Sequence, residues 1–216
     1  NNTNNTKIDL LGMDACLMAM LEVYYQFFNY ADIGVASEET EPGDGWEYAF
    51  LSELSSTPNM TAATLGTYIV DYYANSYSDG NGNPSDVSNY TLSAFDINVL
   101  AGTGTSESVA QITNHLSNLL CSYMYDNYNK INAAQNNCSR FDNRWSQSDD
   151  YIDLYDFADK MNYQNINSSI NNWTQELMDR IDDAIIYEEH GSSRSWAHGI
   201  SIYFEENSSE YESDYN

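Results

Sequence analysis

Apolar and polar positions fall along this chain in blocks that switch between strand and helix periods. Ile8-Asp9-Leu10-Leu11-Gly12-Met13 is a short apolar run closing at a glycine, the pattern of a buried strand. After it, Leu17, Leu21, Tyr24, Tyr25 and Phe28 recur at three- and four-residue spacing and predict an amphipathic helix. Residues 32–37 read as a second buried strand. A strand, helix and strand so spaced form a parallel crossover unit, which makes the class α/β. Glu41-Pro42-Gly43-Asp44-Gly45 then carries the chemistry of a turn or loop.

Leu65, Ile69 and Tyr72 continue a helical period over residues 61–75, and residues 78–89 read as a loop of Gly, Asn, Pro and Asp. Strand character returns over residues 90–97. Val109, Ile112, Leu116, Leu119 and Tyr123 then share one face of a long helix, with Ser106-Glu107 near its start. Residues 135–150 are polar and irregular, and residues 151–160 become helical toward their end. Ile170, Trp173, Leu177, Ile181 and Ala184 mark another helix that Ser168 or Ser169 could cap, and it runs into an acidic stretch ending at His190. Gly199-Ile200-Ser201-Ile202-Tyr203-Phe204 alternates as a strand. No internal repeat appears, and no linker is long enough to separate a pair of domains.

The 216 residues suffice for one domain with a real core. Seven Lys and Arg against 33 Asp and Glu give a net charge of −26, while 42% hydrophobic residues exclude a disordered acidic chain. Such a charge excludes nucleic acid and anionic membranes, which need clustered cations. No apolar run approaches the ~18 residues of a spanning helix. Cationic peptides, metal ions and a high-salt solvent remain as partners. The N-x-S/T triplets at Asn1, Asn4, Asn59, Asn89, Asn137, Asn167, Asn172 and Asn207 are compatible with export.

Cys16, Cys121 and Cys138 show no metal-ligand spacing, and an odd count leaves at least one free thiol. All three read equally well as small buried apolar residues. Cys16 stands out by position. It follows a predicted strand and opens a predicted helix, so it lies where open α/β sheets place their ligands. A helix N-terminus there would stabilise a thiolate nucleophile. Asp14, two residues earlier, would share its side of an extended chain and could hold a Lys or Arg side chain between itself and the thiolate. Equally, it could cap the helix.

The segment Ile8-Asp9-Leu10-Leu11-Gly12-Met13-Asp14-Ala15-Cys16-Leu17-Met18-Ala19 closely resembles the catalytic-cysteine segment of the clostripain family of cysteine peptidases. Val35-Ala36-Ser37-Glu38-Glu39-Thr40-Glu41-Pro42-Gly43-Asp44-Gly45-Trp46 resembles that family's next strand and loop. Three later landmarks appear in the same order, at residues 90–94, 151–157 and 199–204. The resemblance implies a caspase-like α/β/α sandwich with a central, mostly parallel sheet over residues 8–204, incomplete at both ends. Residues 1–7 resemble the tail of a processing linker, with Lys7 fitting a cut after a basic residue, and residues 205–216 an acidic, truncated tail.

By the same resemblance the activity is that of a secreted endopeptidase cutting after Arg or Lys. Cys16 would be the nucleophile and its N–H part of the oxyanion hole. Asp14 would lie in the pocket for the basic side chain, with Asp44 as a second acidic wall and Glu38, Glu39 and Glu41 as close competitors. The family's general-base histidine precedes the nucleophile in a His-Gly motif, and no histidine precedes Cys16. His190-Gly191 and His198-Gly199 come in the wrong order and read as structural; His115 reads as a surface or satisfied core residue. The His would come from an upstream light-chain-like segment, and this chain alone would be inactive. Calcium is the implied cofactor, for which Glu38-Glu39-Glu41-Asp44 and Asp182-Asp183-Glu188-Glu189 offer oxygen ligands, although no EF-hand pattern is present. The rival reading is a non-catalytic acidic surface protein of the same fold that binds basic peptides or calcium.

Overall fold

In the computed structural model, which describes residues 7–78, 87–102, 104–141 and 151–204, the first crossover is parallel as expected. β1 (Ile8–Gly12) is followed by a short α1 (Leu21–Tyr25) and by β2 (Ala31–Ala36), and Ile8 stands opposite Ala31. The chain continues through α2 (Leu51–Ser56), α3 (Ala62–Tyr77), β3 (Thr91–Asp96), α4 (Ile97–Ala101) and α5 (Val109–Asn136). Then come β4 (Arg140–Phe141), β5 (Tyr151–Asp153), α6 (Leu154–Tyr163), α7 (Ser168–Ala184), β6 (Ile185–His190) and β7 (Ser201–Tyr203).

The main sheet has the order β1-β2-β3-β6. β3 runs antiparallel to both β2 and β6. The sheet is therefore mixed, with its parallel pair at β1–β2. A smaller antiparallel sheet, β4-β5-β7, joins it where Met20 bridges Ser201 and Ser201 N–H donates to the Ala19 carbonyl at 2.8 Å.

Helices cover both faces of the main sheet, the α/β/α layering expected. On one face α3 packs Ile69, Val70, Tyr73 and Tyr77 against Val35, Leu92 and Ala94. On the other, Leu100, Ile112, Leu116, Leu177 and Ile181 from α4, α5 and α7 cover Ala31, Ala36 and Phe95. Burial of these side chains, worth about 2 kcal/mol each, is what holds the layers together. Close approach also selects residue types: a Cβ at Gly34 would lie 2.1 Å from the Phe95 ring, which Tyr24 meets edge-on at 4.5 Å.

Local signals explain most element ends. The Thr61 side chain accepts from Thr64 N–H to start α3, and Ser108 with Gln111 forms a full capping box on α5. α7 is capped by Asn167 rather than by Ser168 or Ser169. Two expectations fail. The helix expected from Leu17 shrinks to α1, and the acidic stretch ending at His190 is strand β6, not helix. Isoleucines at 185 and 186 and pairing with buried β3 outweigh the helical continuation from α7. Much of the loop read over residues 78–89, and of the irregular stretch at 135–150, lies outside the described residues, as do residues 1–6 and 205–216.

Candidate active site

Beyond Gly12 the chain turns over residues 15–17 and remains bonded on both sides of the turn to β2 and its prolongation. Met13 N–H donates to Val35 O, Leu17 N–H to Glu39 O and Ala19 N–H to Ser37 O, at 2.9, 3.1 and 2.9 Å. These bonds, with the Met20–Ser201 bridge, claim residues that local periodicity assigns to a helix. Leu17 turns the chain with φ of +58°, and Met20 is the N-cap of α1. Cys16 therefore sits in a turn at the carboxyl end of β1, the place expected, but not at a helix N-terminus. Nor does Asp14 cap a helix. In place of peptide dipoles, Cys16 Sγ accepts the backbone N–H of Glu41 at 3.2 Å.

The loop after β2 folds back over Asp14. Asp14 Oδ2 accepts from Trp46 N–H at 3.3 Å and from the Tyr48 hydroxyl at 2.8 Å. Gly45 makes the return possible. Its φ is +68°, and a Cβ there would stand 3.1 Å from Asp14 Oδ1. Trp46 Nε1 donates to Glu41 Oε1 at 3.0 Å, and the Glu41 and Asp14 carboxyl groups are themselves in hydrogen-bonding contact. Burial first, and then this contact, push the Glu41 carboxyl up to about 8. Tyr77 closes the loop by donating to Gly45 O at 2.6 Å. Asp44 is exposed at the rim, where its charge acts on Tyr77.

Glu38 and Glu39 point elsewhere. Glu39 is buried and pairs with Arg194 at 2.6 Å. Glu38, 1% exposed, accepts Gly199 N–H at 2.9 Å and contacts Asp153, whose Oδ2 accepts His198 N–H at 2.7 Å and whose Oδ1 caps α6 through Asp156 N–H at 2.6 Å. Burial and then the charge of Asp153 hold the Glu38 carboxyl well above the usual range. Burial lowers the His198 imidazole, but Asp153 and Glu188 outweigh it and the net shift is upward.

Each histidine has partners other than the thiol, and those of His198 include Asp153 at 3.4 Å. His198 stacks on Tyr155 at 4.1 Å, His190 contacts Gly191 O, and His115 pairs with Glu107 and stacks on Trp173. The three thiols are free; Cys138 is buried and Cys121, expected inside, is exposed. Lys7 lies against Asp32 at 3.3 Å and against Asn98. A cavity of about 670 Å³ between α1, α5 and β7 is lined by Leu116, Leu120, Phe157 and Phe204 and does not include Cys16. Glu41 was one of three indistinguishable glutamates in the sequence. Tyr48 and Tyr73 carried no signal, since Tyr73 reads as part of the apolar face of α3. Among the described residues no group of three His, Cys, Asp or Glu side chains gathers.

The model of the clostripain family, a C11 peptidase family, matches residues 2–216. The chain belongs to the clostripain family. No curated protein matches its sequence. Among solved structures it is similar to a clostripain from Bacteroides thetaiotaomicron ATCC 29148 in complex with the peptide inhibitor BTN-VLTK-AOMK. That match has 15% identity and a TM-score of 0.63, and covers 93% of this chain and 80% of the other. A secreted C11 cysteine protease from Bacteroides thetaiotaomicron, in complex with an irreversible peptide inhibitor, matches at 19% identity and TM-score 0.61. There 97% of this chain covers 56% of the relative. A B. fragilis cysteine protease matches at 18% identity and TM-score 0.57, over 94% and 80% of the two chains. At these identities the likeness is one of fold. Membership of the clostripain family makes this a chain of cysteine-peptidase type, and no helix among the described residues is long and apolar enough to cross a membrane.

Proposed function

We propose that this clostripain-family chain carries the nucleophile of a secreted cysteine endopeptidase that cuts after Arg or Lys. The observation that carries the reading is a turn-borne thiol at the end of β1 that accepts the backbone N–H of Glu41, the residue whose carboxyl group meets Asp14. Around the Asp14 carboxylate stand Trp46, Tyr48 and Glu41, with exposed Asp44 acting on the neighbouring Tyr77, an acidic and aromatic pocket suited to a cationic side chain. The inhibitor in the similar clostripain structure, BTN-VLTK-AOMK, has a peptide part ending in lysine.

A general base from outside residues 1–216 takes the Cys16 thiol proton; by family resemblance it is a histidine on a strand upstream. β1 leaves an edge for such a strand: among the described residues it pairs only with β2, and Ile8 is 51% exposed. The thiolate attacks the carbonyl after the basic residue, backbone N–H groups including that of Cys16 hold the oxyanion, and the histidine returns the proton to the leaving amine. Water then hydrolyses the thioester. Lys7, just before β1, is where processing would separate the two segments. The secreted relative supports export.

The test compares the 216-residue chain with the protein extended upstream, using a fluorogenic Arg-peptide. Turnover is expected only from the extended protein, and Cys16→Ala should abolish it. Turnover by the isolated chain, or retained turnover in Cys16→Ala, would overturn the assignment.

A further inference from the structure

Resting on the basic-pocket reading, the geometry points to one more specificity determinant. We propose that Glu41 and Asp14 share one proton when the pocket is empty, and that an entering guanidinium or ammonium group takes that proton's place.

Two carboxyl groups in hydrogen-bonding contact cannot both be ionised without a cation between them. Here the donors on hand are already placed. Trp46 Nε1 occupies Glu41 Oε1, while Trp46 N–H and the Tyr48 hydroxyl occupy Asp14 Oδ2. That leaves Asp14 Oδ1 and Glu41 Oε2 for the shared proton. Among the described residues, the groups facing Glu41 are Asp14 and Cys16 from the β1–α1 connection, Tyr48 from the loop after β2, and Tyr73 and Tyr77 from α3, with Asp44 and Glu47 acting on Tyr77 further out. None of these is cationic.

A second, independent feature points to a ligand. Tyr73 is 0% exposed, and its hydroxyl has no hydrogen-bond partner among the described residues. After burial, its ionisation is opposed most by the charge of Glu41, then by Tyr77, Asp14 and Cys16, so the hydroxyl feels the charges of this site. A buried hydroxyl without a partner costs about 1–3 kcal/mol, a penalty that a multidentate guanidinium donor would relieve. Glu41 thus links two functions. Its backbone N–H touches the nucleophile, and its side chain completes the floor for the cation.

The exchange is balanced in charge. The pair carries one negative charge with its proton and two with the bound cation, and the displaced proton goes to solvent. Because Glu41 loses its proton only near pH 8, the protonated pair dominates at pH 7. Cation affinity should therefore rise about tenfold per pH unit below that value and level off above it.

Titration calorimetry of the full chain with benzamidinium, in two buffers of different ionisation enthalpy, measures this without any catalytic step. The expected result at pH 7 is release of close to one proton per cation bound. Glu41→Gln should still bind, with proton release and pH dependence both lost. Binding without proton release, abolished by Asp14→Asn, would overturn the exchange and leave the basic pocket standing. If benzamidinium does not bind between pH 6 and 9, the pocket reading falls and the exchange with it.

Discussion

Two carboxyl pairs are built onto the segment after β2, and they differ in what satisfies them. Glu38–Asp153 is sealed, with Glu38 at 1% and Asp153 at 0% exposure. Backbone N–H groups of Gly199, His198 and Asp156 bond to it, so it ties the segment after β2 to the loop before β7 and to the start of α6. Asp14–Glu41 is half open, and the side chains of Trp46 and Tyr48 bond to it together with a single backbone group, Trp46 N–H. Glu38 Oε1 has no hydrogen-bond donor among the described residues and the His198 imidazole lies 3.4 Å from Asp153, but the backbone donors make the Glu38–Asp153 pair a tie between distant segments. The Asp14–Glu41 pair is held largely by aromatic side chains, near a tyrosine whose hydroxyl has no partner among the described residues, and under the proposed function it receives a cation that comes and goes. Carboxyl pairing alone says nothing of function; the donors distinguish the two.

The largest effect expected of this contrast is on folding. Asp153→Ala removes a buried carboxylate that caps a helix and anchors a loop, and should cost about 3–5 kcal/mol, read as a lowered midpoint in chemical denaturation. Asp14→Asn should change stability by only about 1 kcal/mol or less. Its effect belongs in catalysis, where kcat/KM for Arg substrates of the upstream-extended protein should fall about 10²–10³-fold. If Asp14→Asn unfolds the chain as readily as Asp153→Ala, the two pairs are not different in kind.

A smaller effect lies in the pH dependence of stability. Glu38 holds its proton in the folded chain well above the ordinary value of 4.5, so folding takes up a proton and stability falls as pH rises past 4.5. Glu41 adds the same sign between 4.5 and about 8. His198, raised above its ordinary 6.5, stabilises below that value and loses its contribution as pH climbs through the raised one. Tm should thus drop between pH 5 and pH 8, by on the order of 5 °C. Glu38→Gln should flatten that slope to some extent; an unchanged slope would mean Glu38 ionises normally. The smallest effect is electrostatic steering: with a net charge of −26, kcat/KM for Arg substrates should decline a few-fold between low and 0.5 M salt. A flat profile would confine the useful charge to the pocket.

An apolar run ending at Gly12 is a strong local signal, and from it the strand-end position of Cys16 is legible without any structure. The residues just beyond are not. Leu17, Leu21 and Tyr24 have helical spacing, yet Ala19 and Met20 are drawn into extended pairing with Ser37 and Ser201. β6 is hidden from the local pattern for a related reason. Its Glu188-Glu189-His190 continues the polar face of α7, and only its partner β3 makes it a strand.

Near neighbours along the chain are enough to specify one class of features. The α/β alternation is of this kind, as are the caps at Thr61 and Ser108, the parallel crossover and the strand-end position of the thiol. Which carboxylates face that thiol is of the other kind, and only the folded arrangement specifies it. Glu38, Glu39 and Glu41 are nearly identical in local context, and their fates diverge through Gly199, Arg194 and Asp14, residues 161, 155 and 27 positions away. A carboxylate's role is set by the donors and charges around it, and those come from distant stretches of the chain that only folding brings together.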